Sequence, residues 1–201
     1  MRKKSVLFRI LLLAILLLGA GALLVSRISW GFAREVSPEE SALRLQLVEA
    51  AQGWLGWAEE DGTHRQIIDL YNSHTPLAQG YRVQYTDDWC ATFVSAVAIQ
   101  CGFTEYIPTE CGCERQIVLW QDLGRWEEQD SYLPLPGDII YYDWEVRTLG
   151  DSTGWADHVG IVVGTHGPFI KVIEGNKDDS VGYRFVLRWD PRIRGYGLPN
   201  Y

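Results

Sequence analysis

The chain predicts an α+β domain, with N-terminal helices packed on an antiparallel β-sheet, preceded by one N-terminal transmembrane helix. Three observations lead there. Helix caps and helix-type apolar spacing are confined to the stretch ending at Gly124. Short runs rich in Val, Ile, Tyr and Phe, bounded by Gly and Pro, fill the remainder from Asp138 onward. Helices first and strands later is the order of a segregated α+β domain rather than of alternating βα units. The third observation is the apolar segment at the very start of the 201-residue chain.

Residues 1–30 contain Arg2, Lys3, Lys4, Arg9 and Arg27 and no acid, around an uninterrupted apolar run of 16 residues from Ile10 to Val25. Val6 to Phe8 extend that run across Arg9, whose guanidinium can snorkel, to a length able to span a bilayer. The segment reads as a signal-anchor with its basic end in the cytoplasm and the rest of the chain outside the cell membrane. Gly19 to Ala22 supply the small residues of a cleavage site, so secretion after signal-peptide removal is the alternative; no cysteine follows them, which argues against a lipoprotein. Residues 31–36 form a linker, and residues 37–201 form the domain.

Ser37-Pro38-Glu39-Glu40 has the chemistry of a capping box with proline in the first turn, and Leu43, Leu47, Ala50 or Ala51, and Trp54 follow at helical spacing. A second short helix is expected over Arg65 to Tyr71, a third from Cys90 to Cys101 closed by Gly102, and a fourth from Glu114 to Leu123 closed by Gly124. Strands are expected over Asp138 to Asp143, His158 to Val163, Phe169 to Ile173, Tyr183 to Leu187 and near Gly195 to Gly197.

Charge narrows the function. The net charge of the chain is −8, and setting aside the five basic residues of residues 1–30 leaves −13 for the remainder. Such a surface repels polyphosphates, so nucleic acid is excluded as a partner, and an anionic wall polymer would not be gathered by charge. Protein partners are not legible.

The chemistry centres on Cys90. Asp87-Asp88-Trp89-Cys90-Ala91-Thr92-Phe93-Val94-Ser95 reads as a helix start with a thiol in its first turn, Asp87 and Asp88 being the expected cap and its neighbour. A helix N-terminus and an imidazolium both stabilise a thiolate, whereas adjacent carboxylates oppose it unless they turn away. His158 opens one strand, and Glu174 and Asn176 close another. A helix-start cysteine, a strand histidine and a strand-end polar group, in that order, compose a thiol hydrolase: nucleophile, base, and a group that fixes the imidazole tautomer. Cysteine in an apolar helix is more often plain core, and Glu174-Gly175-Asn176 is also good turn chemistry. The co-occurrence of all three motifs favours the catalytic reading.

The segments Trp89 to Ser95, Pro136-Gly137-Asp138-Ile139-Ile140, His158-Val159-Gly160-Ile161-Val162 and Ile173-Glu174-Gly175-Asn176 resemble the CHAP family, the cysteine, histidine-dependent amidohydrolases/peptidases among the papain-like cell-wall hydrolases. The resemblance runs from about Trp54 to the C-terminus. It implies Cys90 as nucleophile, His158 as base, Glu174 as orienting residue and Asn176 as an accessory one. It also implies peptidoglycan as substrate, cut at the muramoyl–peptide amide or within the stem or cross-bridge. A thiol acyltransferase or deamidase, and a catalytically silent envelope-binding domain, are the alternatives. Some members carry alternating acidic calcium ligands before the cysteine; here Gly80 to Asp88 holds only Asp87 and Asp88, so no cofactor or metal is expected.

Cys101, Cys111 and Cys113 remain. Cys111 and Cys113 are too close to bridge each other comfortably, so at most one pairs with Cys101. Cys-x-Cys alone is a weak zinc signal. Trp144 and Trp155 flank the loop leading into His158, where they would line a groove.

Overall fold

The computed structural model describes residues 33–145 and 154–201. The expected anchor, residues 1–30, and the first part of the linker lie outside the described residues. Among the described residues no helix is long and apolar enough to cross a membrane.

Among the described residues four α-helices precede the sheet: α1 (Pro38–Gln52), α2 (His64–Ser73), α3 (Cys90–Cys101) and α4 (Cys113–Asp122). Six strands follow, β1 (Trp126–Glu127), β2 (Ile139–Tyr142), β3 (His158–His166), β4 (Phe169–Lys177), β5 (Ser180–Leu187) and β6 (Ile193–Gly197), in the order β1-β6-β2-β3-β4-β5. Every pairing is antiparallel. The expected α+β architecture is the one observed.

Ser37 caps α1, its Oγ accepting from Glu40 N at 3.1 Å, with Pro38 as the first helical residue. The buried stripe is Leu47, Val48 and Ala51, continued by Trp54. Arg44, on the same helix, is only 2 % exposed, which helical spacing of apolar residues did not anticipate. Its guanidinium is matched on all sides, donating to Asp138 Oδ1 at 2.7 Å, Glu40 Oε1 at 2.9 Å and the carbonyls of Pro136 and Pro199. Asp138 is fully buried and also accepts from Tyr132 Oη at 2.6 Å and Leu135 N at 2.8 Å. The Pro136-Gly137-Asp138 turn thus joins the first helix to the first long strand.

α3 is the centre of the domain, buried from Cys90 through Ala98 and closed by Gly102 in the left-handed conformation, φ 72°. It packs on β3 and β4 on one side and on α1 and α2 on the other. A second apolar layer, including Tyr132, Ile140, Tyr142, Val162, Val172 and Tyr196, covers the opposite face of the sheet.

α3 and β4 approach each other closely at Gly175. A Cβ there would come within 2.3 Å of Phe93 Cβ and 2.8 Å of Trp89 Cζ3, so its side chain is excluded by contact rather than by backbone conformation. Gly175→Ala is expected to destabilise the domain by about 1–3 kcal/mol through overpacking. Urea unfolding of the two proteins measures it; an unchanged midpoint would show that α3 yields at no cost.

Local departures from the expected elements have local causes. β3 runs three residues beyond its expected end, to His166, because Gly164-Thr165-His166 continues the ladder past a bulge instead of turning, and β4 runs four residues beyond, to Lys177. The two-residue β1 and the 3-10 turn Ala78–Gly80 were not anticipated; both are too short to carry a periodicity. Neither Asp87 nor Asp88 caps α3. Trp89 holds the cap position and makes no side-chain cap bond.

Candidate active site

Cys90 is the first residue of α3, and its side chain faces the start of β3 and the start of α4. The two acids before it are turned away from the helix end. Asp87 Oδ2 accepts from Tyr81 Oη at 2.7 Å and Gln84 N at 2.8 Å, and Asp88 Oδ1 accepts from Asn176 Nδ2 at 2.9 Å. The condition under which the helix end can favour a thiolate is therefore met.

His158 is the first residue of β3, opposite Tyr142 in the ladder, and buried. Its Nε2 lies 3.0 Å from Glu174 Oε2, which leaves Nδ1 for the cysteine sulfur. Glu174 is fully buried on β4. Its reach across the sheet depends on Gly160, where a Cβ would sit 2.7 Å from Glu174 Cγ. Arg184 of β5 donates from Nε to both carboxylate oxygens at 2.8 Å, so Glu174 is clamped between the imidazole and a guanidinium. Arg184 in turn lies 4.8 Å over the Trp144 ring, which stacks on Tyr142 and stands 6.1 Å from His158.

The structure thus brings Cys90, His158 and Glu174 together and leaves Asn176 outside. Asn176 has a left-handed backbone, φ 54°, at the irregularity that ends the regular β4 ladder, and its amide ties β4 to the loop before Cys90. Its amide bonds Asp88, and the structure does not bring it to the imidazole. Trp155 is 77 % exposed, and the loop it borders, residues 146–153, lies outside the described residues.

Two participants were not foreseen. Arg184 is one. The other is Cys113, the first residue of α4, whose Sγ is 3.5 Å from Cys90 Sγ. All four cysteines are free thiols, so the expected option of a bridge to Cys101 is not taken; Cys101 instead lies against the Gln46 carbonyl on α1.

The electrostatics follow from these neighbours. The Cys113 hydrogen bond lowers the Cys90 thiol against the opposing effect of burial, and His158 lowers it further, to about 5. Cys113 is pushed the other way, first by its bond to Cys90 and then by burial, and keeps its proton. Burial pulls His158 down, but its bonds to Cys90 and Glu174 outweigh that and raise it to about 9. Thiolate and imidazolium therefore coexist across neutral pH. Among the described residues no group of three or more His, Cys, Asp and Glu side chains converges as a metal site requires.

Residues 80–176 match the family model described as CHAP domain. No curated protein and no solved structure matches the chain.

Proposed function

Since the chain belongs to the CHAP domain family, whose members are generally cysteine- and histidine-dependent amidohydrolases or peptidases, we propose that it cleaves amide bonds of peptidoglycan with Cys90 as nucleophile, His158 as acid and base, and Glu174 as orienting residue. The observation that carries the reading is the convergence of those three side chains within the family-matched segment.

In the proposed reaction the Cys90 thiolate attacks the amide carbonyl carbon. The resulting oxyanion is received by N–H groups of the first turn of α3. His158, protonated at Nδ1, gives that proton to the departing nitrogen as the C–N bond breaks, leaving a thioester on Cys90. His158 then takes a proton from water, which attacks the thioester and frees the carboxylate product and the thiolate. Glu174, fixed by Arg184, holds the ring so that one tautomer faces the sulfur throughout.

Muropeptide mass spectrometry after digestion of purified walls tests the reading. A new free amine and a new carboxylate at a muramoyl–peptide, stem or cross-bridge bond is the expected product pair. Intact walls treated with folded, alkylatable protein would overturn the substrate, and transfer to an added amine in preference to water would move the activity to an acyltransferase.

The rate should be bell-shaped in pH. Below about 5 Cys90 takes up a proton and the nucleophile is lost; above about 9 His158 loses its proton and with it the acid for the leaving amine. The expected kcat/KM profile is a plateau between those values. An acid limb near that of an ordinary thiol would show that no ion pair forms in the free enzyme.

The same proposal puts the domain outside the cytoplasmic membrane, tethered by residues 1–30. The basic flank and the apolar run support it, and a domain carrying −13 has no charge-based means of staying on an anionic wall. The full-length protein is expected in the membrane fraction, with its C-terminal domain open to external protease. A mature N-terminus between Ala20 and Ser26 would show cleavage instead.

A further inference from the structure

Two helices aim their first residues at one another: Cys90 begins α3, Cys113 begins α4, and their sulfurs are 3.5 Å apart with both side chains buried. This proximity is built rather than incidental. Ser95 of α3 accepts from Glu110 N at 2.9 Å and donates to Glu110 O at 2.7 Å, which locks the approach to α4 onto α3. The Glu110 carboxylate then accepts from Cys111 N at 2.7 Å and Gly112 N at 3.3 Å, shaping the turn that delivers Cys113. Gln116, one turn further, donates to Pro108 O at 2.6 Å and accepts from Tyr141 Oη at 2.8 Å, fixing α4 against β2.

Only one of the two sulfurs can carry charge at this separation, and the surroundings decide which. Each lies at a helix N-terminus of ten residues or more, so the dipoles do not discriminate. Cys90 has the His158 imidazole on its other side. Cys113 faces Asp157 and, like Cys90, the Tyr141 phenol, whose proton is given to Gln116, and among the described residues no cation acts on it. The thiolate therefore resides on Cys90 and the proton on Cys113.

We propose that Cys113 is a positioning residue for the nucleophile: its S–H donates to the Cys90 sulfur, holding it toward His158 and stabilising it as thiolate. The inference rests on Cys90 being the nucleophile. Its test reads thiolate character directly, so it can fail while wall hydrolysis by Cys90 stands, and it can succeed whatever bond the enzyme cuts.

The test is the pH dependence of iodoacetamide alkylation at Cys90 in the full-length protein kept reduced with a phosphine, followed on the Cys90 peptide by mass spectrometry so that Cys101 and Cys111 do not contribute. Cys113→Ala and the larger Cys113→Val remove the donor; Cys113→Ser keeps one. Loss of one such hydrogen bond to a charged acceptor should move the acid limb up by about one pH unit, an alkylation rate about tenfold lower on that limb. Cys113→Ser should return most of the shift. A merely space-filling Cys113 would change melting temperature and leave the limb in place. An unchanged limb in the folded Ala or Val variant, or a Ser variant that behaves like them, overturns the proposal.

Discussion

Cys90→Ala is expected to abolish amide hydrolysis, by about 10⁴-fold or more, while leaving the domain folded. The replacement removes one buried sulfur and the acceptor of one weak S–H bond, and alanine suits the first turn of a helix, so stability should change by only about 1 kcal/mol. Muropeptide release and the melting temperature, measured on the same preparation, separate the two effects. Full activity in a folded Cys90→Ala protein would remove the nucleophile from the mechanism. Loss of activity together with loss of fold would instead make Cys90 a core residue, as its 6 % exposure alone would suggest.

Glu174→Ala is the second large effect. The carboxylate is fully buried between His158 Nε2 at 3.0 Å and Arg184 Nε at 2.8 Å, so its removal frees the imidazole to rotate and strands a guanidinium beside it. Turnover should fall by about 10²–10⁴-fold, the range a positioned acid–base group contributes, and by less than in Cys90→Ala. The alkaline limb of the pH profile should also move down, because the charge that helps raise His158 to about 9 is gone. Asn176→Ala should cost no more than about tenfold, since its amide reaches Asp88 and not the ring. The reverse order of the two defects would transfer the orienting role to Asn176.

Much of this arrangement is legible in the sequence because it rests on local chemistry. The span of α3 follows from an apolar run that starts after two acids and stops at Gly102, and the placement of His158 and Glu174 follows from β-rich runs bounded by turn residues. What is not legible depends on how distant segments return. Cys113 comes beside Cys90 through the Ser95–Glu110 lock, which no spacing rule encodes, so the Cys111/Cys113 pair reads only as a disulfide question or a weak zinc signal. Arg184 reaches Glu174 because β4 and β5 pair Val172 with Arg184, a register set by the irregularity after Glu174. The placement of Asn176 is not legible for a related reason: its left-handed backbone takes it out of the strand alternation that would have aimed it with Glu174. Arg44 shows the limit of apolar periodicity, being buried by its partners and not by its type.

The central claim is that Cys90 carries the acyl group between the two halves of the reaction. It is tested most directly by acid-quenching the enzyme during turnover of a purified muropeptide and mapping the adduct by mass spectrometry. The account predicts a thioester on the Cys90 peptide with the mass of the acyl fragment, absent in Cys90→Ala. An adduct on any other residue, or turnover undiminished after complete carbamidomethylation of Cys90, would contradict it.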